Sequence, residues 1–155
     1  MFDIKKHLAD LSASKWTDYK ASLASDAVYE EVATHQRVKG ADEYIKVIQR
    51  WKRAFPDLKA TVLNTFTAGD KVLAEVEWEG TQTGPLEGPA GTIAPTNKRG
   101  LIKAAIVSTI KNNKVVEVHQ YFDLLTLLSN LGIAPVAGAP AQVAKASAAA
   151  PPRRP

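Results

Sequence analysis

The chain has 155 residues, of which 45% are apolar and 23% charged; its net charge is +4 and it contains no cysteine. This length fits one domain, with or without a tail. The lack of cysteine excludes thiol catalysis, disulfides and Cys-ligated metals, and three histidines with one methionine are too few to indicate a His-rich metal site. No apolar run approaches the roughly 20 residues that a membrane span needs. We therefore expect a cytoplasmic protein with no metal and no membrane segment.

The positive charge is concentrated at the C-terminus. Residues 134–155 carry Lys145, Arg153 and Arg154 and no acidic residue, whereas residues 1–133 carry 17 basic and 16 acidic side chains. A nearly neutral body is a poor electrostatic match for a nucleic-acid backbone. Because 14 of the 22 terminal residues are Ala or Pro, they cannot bury enough apolar surface to offset the entropy lost on ordering. We predict a domain over 1–133 and a disordered tail over 134–155.

The first third of the chain predicts short helices followed by short strands. Apolar residues recur at helical spacing over 2–11 and 14–24, and Ser14 is placed to cap the second helix. Strands are predicted over 27–32 and 34–40.

A longer amphipathic helix is predicted over 41–55. Its apolar stripe runs along one face, and Pro56 ends it because the residue before a proline avoids the helical region. The stripe consists of Tyr44, Ile48, Trp51 and Phe55.

After Pro56 the apolar period changes from helical spacing to alternation, which indicates strands. The strands are predicted over 57–67, 71–81, 98–110 and 114–122, with a long Gly/Pro-rich loop over 84–97 and a final helix, DLLTLLSNL, that begins at Asp123. Helices followed by an antiparallel meander give an α+β fold with helices on one face of a curved sheet.

The turn at residues 112–113 sets the predicted register of the last hairpin. With two turn residues, 111 pairs with 114, and the odd-numbered residues of the final strand then share a face with the even-numbered residues of 98–110. The predicted inward set is Val76, Trp78, Ile102, Ala104, Ile106, His119, Tyr121 and Asp123. Facing the helical stripe, this set forms an apolar wall with a few polar groups, which is typical of a small-molecule site.

The opposite face of the sheet has an apolar centre and a charged border. Ala105, Val107 and Val118 lie in the centre, while Glu75 and Lys103 lie at the border. An apolar face that large predicts a homodimer that packs sheet on sheet. The alternative is that the tail or the first helix covers it.

Several segments together resemble a known family. WKRAFPDL (51–58), GTQTGPL (80–86), a Lys-Arg strand entry (98–99) and KVVEVHQYFDLLTLLSNLG (114–132) follow one another at suitable spacing. This pattern resembles the SnoaL-like polyketide cyclases, also called ester cyclases, of the NTF2-like superfamily. The resemblance implies a cone-shaped α+β barrel, often dimeric, with a pocket between the long helix and the sheet. It also implies an Asp at the position of Asp123 that acts as general acid/base in an aldol-type ring closure without cofactor or metal.

The site prediction combines the inward set with this resemblance. Asp123 and His119 are the predicted catalytic residues. Desolvation in an apolar pocket raises the pKa of a carboxyl group toward neutral pH, and an imidazole can relay its proton. The predicted substrate-binding residues are Tyr121, Trp78, Trp51, Phe55, Ile106, Tyr44 and His35. Their aromatic character suits an apolar, aromatic or polycyclic ligand.

Two alternatives stay open from the residues alone. Asp is a favoured N-cap, and Asp123 directly precedes a helix, so its role could be structural. The function is accordingly either a cofactor-free cyclase or isomerase that acts on an apolar carbonyl compound, or a ligand-binding or assembly module without turnover.

Overall fold

The computed structural model describes residues 1–133, and the predicted tail over 134–155 lies outside them. Within these residues the chain forms four α-helices and eight β-strands. The helices are α1 Ile4–Ser12, α2 Trp16–Ala21, α3 Ala41–Ala54 and α4 Leu124–Asn130; a short 3-10 helix spans Val32–Thr34. The strands are β1 Leu23–Glu31, β2 Gln36–Lys39, β3 Lys59–Ala68, β4 Lys71–Thr81, β5 Leu86–Gly88, β6 Gly91–Ile93, β7 Arg99–Lys111 and β8 Lys114–Phe122.

Six strands form one sheet in the order β2-β1-β8-β7-β4-β3, and only the β1–β8 pairing is parallel. Apolar side chains on its inner face pack against α1 and α3, which buries one core and removes apolar surface from water, the main force that holds the layers together. The α+β prediction is therefore confirmed. Within residues 1–133 no helix is long and apolar enough to cross a bilayer.

The register of β8 differs from the predicted one. Lys111 pairs with Lys114 as expected across the 112–113 turn, but Thr109 pairs with Glu117 while Ile110 pairs with Val115. Val116 is thus an extra residue, a β-bulge, and a bulge shifts all later residues of the strand to the opposite face. Val115 and Val118 both point inward and are buried.

The consequence is that the even-numbered residues of β8 face the core. Gln120 and Phe122 point inward, while His119 and Tyr121 point outward, so the predicted inward placement of His119, Tyr121 and Asp123 is wrong. The inward placement of the β4 and β7 residues is correct, and Trp78 pairs with Ile102.

Two smaller predictions also need correction. Lys15, not Ser14, is the N-cap of α2. The segment over 84–97 is not a plain loop, because β5 and β6 form a hairpin within it. The buried amide of Gln82 holds this segment through hydrogen bonds to Gly84 O, Ala94 O and Thr96.

The segment over 84–97 also approaches the C-terminal end of α3 closely. Gly84 N donates to Ala54 O at 3.1 Å, and a Cβ at Gly84 would lie only 2.0 Å from Arg53 O. Only glycine fits this contact.

Candidate active site

A small apolar cavity lies between α3 and the inner face of the sheet. It encloses about 50 Å³, and we call it the main cavity. Its lining includes Trp51, Phe55, Trp78, Ile102, Gln120 and Phe122. The indole of Trp51 meets the ring of Phe122 edge-on, with centroids 5.8 Å apart. Aromatic pairs favour this geometry, so it gives the cavity a defined wall.

A narrower hollow of about 10 Å³ continues deeper into the core, and we call it the inner cavity. Tyr44, Ile106, Ser108 and Gln120 are among its lining residues, and Trp78 borders both spaces. Within residues 1–133, Nε1 of Trp78 and Oγ of Ser108 are the two buried side-chain polar atoms that have no hydrogen-bond partner. A buried polar atom without a hydrogen-bond partner destabilises the fold by about 1–3 kcal/mol. A ligand atom that bonds to either of these two atoms would therefore gain binding free energy.

A wider, polar space opens beside the main cavity, and we call it the polar cleft. Its volume is about 580 Å³, and Trp51 borders both it and the main cavity. The charged and titratable residues that line it are Glu31, His35, Arg37, Arg50 and Glu87.

The predicted substrate-binding residues are divided among these spaces. Trp51, Phe55 and Trp78 line the main cavity, Tyr44 and Ile106 line the inner cavity, and His35 lines the polar cleft. Tyr121 lies on the outer face of the sheet and is 47% exposed.

Asp123 lies at the start of α4, outside the cavities. Its carboxylate accepts hydrogen bonds from Thr126 N at 3.0 Å and from Thr126 Oγ1 at 2.5 Å. These bonds favour the charged form, and the pKa of Asp123 is accordingly lowered, chiefly by the Thr126 hydroxyl. The expected rise of this pKa by desolvation is wrong, because the side chain is exposed.

His119 belongs to a charged cluster on the outer face. Its Nδ1 lies 2.9 Å from Glu30 Oε2, and its Nε2 lies 3.4 Å from Glu117 Oε1. Arg37 lies 3.0 Å from the same Glu30 oxygen. The structure therefore does not bring His119, Tyr121 and Asp123 together at the cavity.

The inner end of the core holds a buried histidine. His7 Nδ1 lies 2.6 Å from Ser22 Oγ, and the imidazole stacks on Tyr19 with centroids 4.2 Å apart. Burial lowers the pKa of His7 to about 3, because desolvation disfavours the charged form. The Ser22 hydroxyl donates to Tyr19 O, so the shared proton of the His7–Ser22 pair is on Nδ1. A neutral imidazole therefore forms part of the lining of the inner cavity.

Two inward polar residues were missed by the sequence analysis. Gln120 was assigned to the outer face because the Val116 bulge was not expected. Glu31 had a usable signal, since Ala27, Tyr29 and Glu31 alternate on one face of β1 and the first two are buried. A carboxylate on the buried face of a strand is rare, because Glu is almost never fully buried without a partner.

Comparison with known proteins identifies the family. A family model described as SnoaL-like polyketide cyclase matches residues 3–131. The chain belongs to this family. No curated protein sequence matches this SnoaL-like protein.

Solved structures share its fold at low sequence identity. One is IdmH from Streptomyces antibioticus, provisionally described as a polyketide cyclase (22% identity, 84% of this chain and 96% of that chain covered, TM-score 0.72). Another is a protein of ketosteroid isomerase-like fold from Catenulispora acidiphila, in complex with trimethylamine (15%, 84% and 92%, TM-score 0.72). A third is an epoxide hydrolase of M. tuberculosis (18%, 83% and 85%, TM-score 0.64). These similarities support the fold, and the predicted NTF2-like architecture of the SnoaL-like protein is confirmed.

Proposed function

We propose that this SnoaL-like protein is a cofactor-free enzyme of the cyclase or isomerase type that performs acid/base chemistry on an apolar carbonyl compound. The observation that carries the proposal is the unpartnered Nε1 of Trp78 at the junction of two apolar cavities. A carbonyl oxygen is the ligand atom that would satisfy this donor. Family membership supports the reaction type, and an aldol-type ring closure is the specific form that we propose.

The donor at Trp78 suits a carbonyl compound. A pre-positioned N–H in a dry site binds a carbonyl oxygen without reorganisation and fixes the orientation of the ligand. Gln120 borders the same two cavities and carries a second side-chain N–H donor. Ser108 can bind a further polar atom in the inner cavity.

The size of the main cavity constrains the ligand. About 50 Å³ is less than the roughly 150 Å³ of an apolar cavity that binds benzene. An aromatic ligand therefore needs either a rotation of the Trp51 or Phe122 side chain, or the polar cleft as additional space. We propose an aromatic ligand with an apolar body in the main cavity.

A ligand-binding or assembly module without turnover is the second candidate. The observation in its favour is that Asp123 and His119, the predicted acid/base pair, lie outside the cavities. The catalytic roles of these two residues stay predictions, as do the cytoplasmic location and the lack of a cofactor.

The test uses 1-indanone, an aromatic ketone whose α-hydrogens exchange for deuterium when a base removes them. We expect the protein to bind it, detected by quenching of Trp51 and Trp78 fluorescence, and to accelerate deuterium incorporation from D₂O, detected by mass spectrometry. Ile102→Phe fills the main cavity and should abolish both effects. Leu101→Phe adds the same ring at the next position on the outer face and should leave both unchanged.

The outcomes separate the candidates. Binding that Ile102→Phe abolishes, without acceleration of exchange, would support the binding module instead. Absence of binding to the wild type, or equal effects of the two variants, would contradict the use of the cavity altogether.

A further inference from the structure

Glu31 is a buried carboxylate at the end of β1. Only 1% of the residue is exposed. Its Oε2 accepts hydrogen bonds from Tyr29 Oη and from Trp51 Nε1, both at 2.8 Å, and its Oε1 accepts one from Thr34 Oγ1 at 2.6 Å. An ionised carboxylate has about four acceptor positions, so Oε1 keeps one for a further donor.

All three donors are neutral groups. Glu31 takes part in none of the ion pairs formed within residues 1–133. Burial of a carboxylate without a cation is strongly unfavourable unless hydrogen bonds compensate it, and apolar side chains would fill the same position more cheaply. A buried carboxylate in a cleft is therefore a candidate for function rather than for stability.

The position of Glu31 connects it with the ligand site. Glu31 lines the polar cleft, and its donor Trp51 forms the wall between that cleft and the main cavity. Its other donor, Tyr29, lines the main cavity. Because the main cavity alone does not hold a whole aromatic ligand, a ligand seated there extends past Trp51 and brings its outer end to Glu31.

The polar cleft also supplies a positive charge. Arg50 lines it, with Nε 3.5 Å from Glu87 Oε2. A carboxylate and a guanidinium on one cleft suit a group that loses a proton and becomes an anion, since the first accepts the proton and the second stabilises the charge.

We propose that Glu31 is the general base of this site and that the polar cleft holds the enolisable end of a carbonyl compound. This inference rests on the proposed function and adds the residue and the place: the carbonyl that enolises lies at the cleft end of the ligand, and the donor at Trp78 Nε1 binds a second oxygen at the inner end. Glu31 takes a proton from the carbon beside the carbonyl, and the C–H electron pair moves to form the enolate, with its charge on oxygen. In an isomerisation, the Glu31 carboxylic acid returns the proton to a different carbon. In a ring closure, the enolate carbon bonds to a second carbonyl carbon, and the resulting alkoxide takes the proton from Glu31.

The matched pair of variants is Glu31→Gln and Glu30→Gln. Gln at position 31 preserves the packing, since its Oε1 can accept from Tyr29 and Trp51 while its Nε2 donates to the Thr34 hydroxyl. It removes the negative charge and, with it, the capacity to accept a proton. Glu30 is the adjacent residue on the outer face, where it pairs with Arg37 and His119.

The readouts are deuterium exchange of 1-indanone and binding of indane, which has the same rings and no carbonyl. Glu31→Gln should reduce exchange at least about 100-fold, the usual contribution of a general base, and leave indane affinity unchanged. Glu30→Gln should change neither. This split excludes a purely structural role, because a distorted site would also lose indane.

The remaining outcomes are decisive in the other direction. Full exchange by Glu31→Gln overturns the assignment of Glu31 and leaves the proposed function standing. A wild type that binds 1-indanone without exchanging it overturns the proposed function and the Glu31 assignment together. If Glu31→Gln does not fold, Glu31→Asp is used instead, because it withdraws the carboxylate by one methylene. Full exchange by a folded Glu31→Asp contradicts the proposal. A lower exchange rate with unchanged indane affinity supports it.

Discussion

The indole Nε1 of Trp51 donates a 2.8 Å hydrogen bond to Oε2 of Glu31, which joins the last turn of α3 to the C-terminal end of β1. The other cavity tryptophan, Trp78, has an Nε1 with no partner. Two tryptophans thus line the main cavity, and only one of these two donates its indole N–H in a hydrogen bond.

This difference predicts unequal costs for the same substitution. Trp51→Phe removes a hydrogen bond to a charged group, which is worth about 1.5–3 kcal/mol, in addition to lost packing. Trp78→Phe loses packing but no hydrogen bond. Urea denaturation should show a larger loss of unfolding free energy for Trp51→Phe, and equal losses would contradict the described bond.

His7 predicts an acid-sensitive stability. Its pKa is about 3 in the folded chain and about 6.5 when unfolded, so the unfolded chain binds the proton more readily. The contribution of neutral His7 to stability is complete above about pH 6.5 and is lost as pH falls toward 3, by about 1.4 kcal/mol per pH unit. We expect His7→Asn, which keeps a donor toward Ser22, to flatten urea-derived stability between about pH 4 and 6.5.

The matched control for this measurement is His35→Asn. His35 is exposed and has a φ of 55°, a backbone conformation that Asn tolerates well. In this control variant, the slope of the unfolding free energy with pH should stay as in the wild type. A wild-type slope in His7→Asn would mean that another group accounts for the acid sensitivity.

Asp123→Ala tests the structural against the catalytic role of this residue. Loss of an N-cap should lower the unfolding free energy by about 1 kcal/mol. Because the pKa of Asp123 is lowered, this contribution is present above about pH 4 and is lost as pH falls through the lower folded value. Deuterium exchange of 1-indanone should be unchanged. A folded variant without exchange would instead support the acid/base role that the sequence analysis predicts.

The outer face of the sheet predicts a homodimer. Its centre holds the half-buried Ala105 and Val107, and large apolar side chains around it are exposed, among them Phe66 at 60% and Tyr121 at 47%. The first helix does not cover this face, since it lines the inner cavity. The predicted dimer accounts for the unpartnered apolar surface.

Light scattering measures the mass of the protein in solution and therefore its oligomeric state. The wild type should have twice the 16.7 kDa mass of one chain, and Val107→Glu, which places a charge in the apolar centre, should have the mass of one chain. Thr17→Glu, an exposed position on α2, is the control and should remain dimeric. A wild type with the mass of one chain would contradict the prediction.

Local patterns in the sequence identify the main elements. The alternation over 71–81 and 114–122 predicts both strands with the observed ends, and the stripe that includes Tyr44 and Trp51 predicts the helix that forms the cavity wall. Asn112 and Asn113 both have positive φ, as a two-residue hairpin turn requires.

The composition of the site depended on a feature that local patterns describe poorly. The spacing of three between the apolar Val115 and Val118 departs from strict alternation, but which residue is extra is decided by packing against β7 and β1. The hairpin within 84–97 was missed for a similar reason, because the side chain that holds it, Gln82, lies outside the segment.

The bulge at Val116 also decides which side chains the cavity receives. In a β8 strand of the same length without the bulge, Val116 would pair with Thr109, and the remainder of the strand would turn to its other face. The imidazole of His119 and the phenol of Tyr121 would then replace the amide of Gln120 and the ring of Phe122 beside Trp78. One step of register therefore separates two different sets of reagents for the same hollow.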